Sequence, residues 1–257
     1  MIKLVYVITR RADLSPAQFY DHWLNSHAPL VAAQAGPLRL RKYVQSHLFD
    51  DPANEGMRAV RGMLGPVDGI TEVWWDSFAD MQAAYATAEG AASGRILSED
   101  EARFIDFSKS QVFLTQEHEI FDHTDGQGPG PEALKVTYLL ARRSDLTQGE
   151  CHRTWLVDHG PLVASVSGPL HMARYVQSHA IEHAWNARIP EAGFAPPLDG
   201  ITEVWVRSHA DLVAGGQTEA GRAASAALVE DERRFVEMGA SRCFLTREHL
   251  IFDHTGA

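Results

Sequence analysis

The chain repeats itself once, and that limits the folds open to it. Residues 3–47 match 135–179 at an offset of 132, and residues 68–124 match 199–255 at an offset of 131. Trp23 and His27 return as Trp155 and His159, and Pro29-Leu30-Val31-Ala32 returns as Pro161-Leu162-Val163-Ala164. The ends repeat as well: Ile120-Phe121-Asp122-His123-Thr124 matches Ile251-Phe252-Asp253-His254-Thr255. A period this long, occurring twice, describes two similar units and not a solenoid. Asp125-Gly126-Gln127-Gly128-Pro129-Gly130-Pro131 has the composition of a flexible linker. The expected division is a first unit over 1–124, a linker over 125–133 and a second unit over 134–257.

Within each unit the pattern alternates between strand and helix. Residues 3–10 are an apolar strand. A helix follows from Ser15-Pro16, with serine as N-cap and proline at the first position; Thr147 to Glu150 form a capping box at the same place. Phe19, Trp23 and His27 recur every four residues, so they share a helix face that is expected to end before Gly36-Pro37. Strands are predicted over 38–48 and 70–76, helix from Ser77 and again from Ser98 to about Phe107, and a last strand from Gln111 to about Phe121. The order β-α-β-β-α-β is that of the ferredoxin-like split unit, an α+β fold. Such a sheet has helices on one face and leaves the other bare. Two tandem copies cover each other, giving a pseudo-dimeric α/β barrel in one chain. The stretch between the second and third strands reads as irregular and long enough to act as a lid.

The two central strands carry polar residues at positions where a purely structural strand would be apolar. Alternation sets Tyr43, Gln45 and His47 on one face, against Leu40 and Val44 on the other; Tyr175, Gln177 and His179 repeat the pattern. On the next strand Ile70, Glu72 and Trp74 share a face, as do Ile201, Glu203 and Trp205. Together these side chains are expected to line a pocket for a small, partly apolar molecule. The alternative is a solvated face or satisfied polar groups in a core.

Each candidate has such a pair of readings. His27 and His159, near the end of the first helix, are either proton carriers or caps on the last turn. Tyr43 beside His47, and Tyr175 beside His179, would hold an enolate or phenolate oxygen while the imidazole moves a proton. Glu72 and Glu203 on an internal strand would have raised pKa values unless paired, for instance with Arg41, Lys42 or Arg174. His118 and His249 complete the catalytic candidates. Trp23, Gln45, Trp74, Trp155, Gln177 and Trp205 are candidates for lining the site. His118 and His123 have opposite strand parity, and no His-x-x-x-His or Glu-x-x-His pattern supports a ligand set for them, so no metal site is predicted.

Composition bounds the partners. With 34 acidic against 23 basic side chains the net charge is -11, which argues against nucleic acid or an anionic membrane. The N-terminal apolar run is too short for a signal peptide, and no stretch is long enough to span a bilayer. Two cysteines, Cys151 and Cys243, have no counterparts in the first half and give no disulfide framework, so a reducing cytoplasm is expected.

Arg10-Arg11, Ser15, Phe19, Trp23, His27-Ala28-Pro29-Leu30, Tyr43-Val44-Gln45-Ser46-His47, Asp68-Gly69-Ile70-Thr71-Glu72-Val73-Trp74 and Glu117-His118 resemble the EthD family, over nearly all of each half. The resemblance implies membership of the dimeric α/β-barrel superfamily and a small-molecule enzyme or accessory protein, usually without an organic cofactor. The second unit departs from the first at Cys151 for Phe19, Ala173 for Arg41 and His209 for Phe78. The function expected is cofactor-independent proton transfer on a hydrophobic, aromatic or polyketide-like compound: decarboxylation, dehydration or isomerisation. Oxidation, as a cofactor-free monooxygenase or through haem or a metal, is the alternative, and a non-catalytic ligand-binding module the third. The pseudo-dimer leaves room for a further homodimer.

Overall fold

The computed structural model describes residues 1–256. Its centre is a closed antiparallel barrel of eight strands. The first half supplies β1 (Ile2–Ile8), β2 (Lys42–Leu48), β3 (Gly69–Trp75) and β4 (Gln111–Asp122). The second supplies β5 (Leu134–Leu140), β6 (Met172–Ala180), β7 (Gly200–Val206) and β8 (Arg242–Asp253). The order around the barrel is β1-β3-β2-β8-β5-β7-β6-β4. The halves therefore join edge to edge, β2 on β8 and β4 on β6, and among the described residues no strand is left unpaired.

Helices cover the outside. In chain order they are α1 (Pro16–His22), α2 (Ala28–Leu38), α3 (Ala53–Arg61), α4 (Phe78–Tyr85) and α5 (Ala88–Glu101), then α6 (Gln148–Arg153), α7 (Gly160–Val166), α8 (Ala184–Arg188), α9 (His209–Gln217) and α10 (Glu219–Glu232). The predicted caps form: Ser15 accepts from the Gln18 amide and Thr147 from the Glu150 amide, each with its capping box closed.

Between α1 and α2 the chain widens into a π-turn at Trp23–His27, repeated at Thr154–His159. Pro29 and Pro161 lie just beyond and have no N–H to continue the α register. The Ala28 amide bonds instead to the Trp23 carbonyl, five residues back.

Four expectations are corrected here. Helix α2 runs through Pro37 to Leu38, because a proline in the final turn forfeits only one bond, and Arg39 closes it in the left-handed region (φ 54°). Strand β2 thus begins at Lys42, and Leu40, ahead of it, packs in the same outer core cluster as Tyr43 and not opposite it. The helix expected from Ser98 starts earlier, at Ala88, capped by Thr87.

The supposedly irregular stretch after β2 is helical, and it crosses to the other half. Helix α3 lies on β8, where the Asn54 Oδ1 accepts from the Leu245 amide at 2.7 Å. Helix α8 lies on β4, where Asn186 Oδ1 accepts from the Leu114 amide at 2.7 Å. Each half is covered by a segment of the other.

Candidate active site

The barrel wall has two faces, and strand register decides which side chains meet. Tyr43 sits opposite Val73 and Val44 opposite Glu72 across β2 and β3. Tyr43 and Glu72 therefore point to opposite sides of the wall, and the single pocket expected from both sets does not form.

The inward set is packed. Val5, Val7, Ile70, Phe113, Leu139, Ala180, Ile201 and Phe244 make an apolar plug. Beyond it lie four buried charges. Lys3 bonds Glu72 and Glu203, each at 2.5 Å, and Lys135 bonds them at 2.7 and 2.6 Å. Burial opposes the ionised Glu72, but Lys135 and Lys3 outweigh it and hold its pKa below the carboxylate range. Burial and the neighbouring Glu72 charge raise Glu203. The partners are thus Lys3 and Lys135, not the Arg41, Lys42 or Arg174 expected from sequence. Glu72, Glu203 and Glu248 are spaced as three ligands of one cation, but the Lys135 ammonium already contacts all three. Trp74 and Trp205 flank this cluster, with Lys3 5.0 Å from one ring centre and Lys135 5.2 Å from the other.

The outward set divides. His47 stacks on two rings, 4.4 Å from Trp23 and 5.0 Å from Tyr20 between centres, and its Nε2 meets Gln45 Oε1 at 3.0 Å. Gln45 in turn donates to the Trp23 carbonyl at 2.9 Å, a second bond to the oxygen that already accepts from the Ala28 amide in the π-turn. His179, Gln177 and Trp155 repeat this arrangement. Burial pushes the His47 pKa down to about 3, and that of His179 to about 2. Both are neutral packing groups, and neither lines a chamber. His249 and His118 lie against them, 4.3 and 4.7 Å away between ring centres, half-buried and outside both chambers.

The remaining candidates do meet. Between the outer face of the first half and its helices lies a chamber of about 850 Å³. His27 and Tyr43 line it, together with Tyr6, Val73, Trp75, Leu97 and Glu101. The α8 segment of the second half closes it with Trp185, Ile189 and Phe194. Asp100 Oδ2 accepts from His27 Nδ1 at 2.9 Å, and Asp100 Oδ1 also holds His22 at 3.1 Å. This fixes the ring and leaves Nε2 for the chamber. Burial lowers the His27 pKa despite Asp100, so the ring is neutral and basic at neutrality. Tyr43 accepts from Gln45 at 2.7 Å, which leaves its own proton to donate. The Tyr6 hydroxyl has no partner among the described residues.

Glu101 was not singled out by the sequence. Burial, then the neighbouring Asp100, raises its pKa from 4.5 to about 8. Its signal was available only by comparison of the halves, where it aligns with Glu232 at the end of α10.

The second half contains the same parts in a closed state. His159 bonds Asp231 at 2.9 Å and Tyr175 keeps its glutamine, but the space left is about 40 Å³. Arg61 and Met63, from and just beyond α3, fill it; Arg61 is 7% exposed and makes two bonds to Glu232, at 2.7 and 3.0 Å.

A family model described as the EthD domain matches residues 11–108 and 143–239. The chain belongs to the EthD family. This EthD chain carries the domain twice, and both matches end before the last strand of their half. Its fold is shared by a structure described as an anthrone oxidase-like protein, at 12% identity over 98% of this chain and 94% of that one, with a TM-score of 0.58. An EthD-family protein from Bacillus halodurans C-125 is 24% identical over 46% of this chain and 99% of its own length, with a TM-score of 0.33. No curated protein matches the sequence. Among the described residues no helix is long and apolar enough to cross a membrane.

Proposed function

We propose that the protein is an enzyme with one working chamber, in the first of two ferredoxin-like units divided by the 125–133 linker, acting on a small, largely apolar aromatic compound. The reaction is proton transfer beside a carbonyl or phenol. His27, neutral and oriented by Asp100, takes the proton through Nε2. The oxygen that gains charge is held by the Tyr43 hydroxyl, with Tyr6 as a second donor. The protonated His27 then returns its proton to another carbon of the carbanion, an isomerisation, or to a neighbouring hydroxyl that leaves as water, a dehydration. Glu101 sets the pH window, because its charge changes near neutrality inside the same chamber.

One observation carries this reading: a buried histidine, held by a buried aspartate, borders an apolar space of about 850 Å³. The experiment is exchange of the acidic C–H of phenols and cyclic ketones in deuterated water, followed by NMR. His27→Gln should slow exchange by about 10²–10⁴, with ligand binding retained. Exchange at the wild-type rate in that variant would falsify the assignment.

A second reading is oxidation, since the carbanion is also what molecular oxygen attacks, and a fold relative is named for an oxidase. Oxygen uptake during turnover distinguishes it, and an absorption spectrum tests for haem. Binding without exchange or oxygen uptake would leave a ligand-binding module.

A further inference from the structure

The two chambers are built from the same sequence pattern, and in one of them the position of a ligand is taken by the protein itself. In the second half Arg61 enters from α3. Its Nε bonds Glu232 Oε2 at 2.7 Å, its Nη2 bonds Oε1 at 3.0 Å, and its guanidinium lies 5.1 Å from the centre of the Tyr138 ring. A planar cation is thus held by a forked pair of hydrogen bonds and an aromatic face.

The repeat places Glu101 and Tyr6 in the corresponding positions of the first half. Both line the open chamber. Tyr6 is 6% exposed, and its hydroxyl has no partner among the described residues. The Glu101 carboxyl group likewise has no hydrogen bond or ion pair among the described residues. No arginine of the second half replaces Arg61. Counting from the matching asparagines Asn54 and Asn186, its place falls on Gly193, in a left-handed turn at φ +90°. Arg188, on the same segment, is paired with Glu191 at 3.1 Å and is 75% exposed at the rim. Asp100 adds negative charge behind that wall, bonded to His27 and His22.

We propose that the first chamber binds a ligand with a planar cationic end carrying two N–H groups, an amidinium or guanidinium, seated between Glu101 and Tyr6 as Arg61 is seated between Glu232 and Tyr138. The apolar remainder of the ligand fills the space lined by Trp75, Phe78, Trp185 and Phe194. This rests on the chamber being the working site, and it names the ligand class.

Calorimetry on the full chain at pH 8 tests it, with benzamidine, neutral benzamide and 2-naphthol as probes. Benzamidine should bind at least tenfold more tightly than benzamide. Glu101→Gln should weaken benzamidine tenfold or more and change 2-naphthol less than twofold. Equal binding of benzamidine and benzamide, or unchanged benzamidine affinity in Glu101→Gln, overturns the cation assignment while the chamber stands. Absence of 2-naphthol binding to the wild type overturns the chamber as a ligand site, and the proposed function with it. In a second arm, Arg61→Ala empties the other cradle, and millimolar methylguanidine should raise the melting temperature of that variant more than that of the wild type. Equal shifts overturn the equivalence of the two cradles.

Discussion

Replacing Glu101 by glutamine should stabilise the protein, and by an amount that depends on pH. The carboxyl has a folded pKa of about 8 against an ordinary value of 4.5. Between those values the folded chain keeps a proton that the unfolded chain has released, so stability falls as pH rises through that window. At 1.36 kcal/mol per pH unit, the penalty at pH 5.5 is about 1.4 kcal/mol and at pH 8.5 about 4.6 kcal/mol. Glutamine keeps the shape and has no charge to bury. The stabilisation by Glu101→Gln should therefore grow by about 3 kcal/mol from pH 5.5 to 8.5. For a chain of this size that is roughly 6–12 °C in melting temperature. Thermal melts of both proteins at the two pH values measure it. A difference between variant and wild type that is the same at pH 5.5 and 8.5 would mean that Glu101 is not buried unpaired in the chamber wall.

Three further outcomes are expected. Arg61→Met leaves Glu232 buried without its partner and should destabilise by about 3–5 kcal/mol, whereas adding Glu232→Gln should recover most of it; urea titrations of the single and double variants decide, and no recovery would refute the pairing. His47 and His179 should stay neutral from pH 8 down to pH 4, giving flat imidazole chemical shifts by NMR. Because their folded pKa values lie below the unfolded value, the stability they contribute is present above about pH 6.5 and is lost as pH falls below it, so a titration of either near pH 6.5 would refute the stacked arrangement. Gly69→Ala should destabilise by about 1–3 kcal/mol or prevent folding, since a methyl there would lie 2.6 Å from the Ser46 carbonyl oxygen and the Trp23 ring; a wild-type urea midpoint would contradict that contact.

The architecture was legible because repetition and alternation are one-dimensional signals. The 131- and 132-residue offsets, the caps at Ser15 and Thr147 and the alternation of strands and helices along the chain needed no tertiary information, whereas the edge-to-edge pairing of β2 with β8 and β4 with β6 did. The site was harder to read. Tyr43 and His27 stand out in the sequence as a phenol and an imidazole on regular elements, and both line the first chamber. Glu72 and Glu203 were assigned to the right kind of place, an internal strand, but their partners Lys3 and Lys135 come from 69 and 68 residues before them along the chain, a pairing that only the barrel brings about. His47 stands out in the sequence as a proton carrier, and nothing there reveals that Gln45, anchored on the Trp23 carbonyl, ties up the imidazole against the Trp23 ring. Glu101 was missed because it ends an otherwise ordinary acidic helix, and its environment depends on whether a distant arginine reaches it.

The exchange of covering segments between the halves has a consequence for ancestry and for engineering. Were two copies of residues 1–124 to assemble as a symmetric homodimer, α3 of each would lie across the opposite sheet, and each Arg61 would approach the other's Glu101. Both cavities would then be stoppered. Tandem fusion removes that obligation, because residues 183–194 are free to diverge from 51–63 without altering the cover they receive in return. One compartment can stay vacant while its twin serves as a braced, solid counterweight.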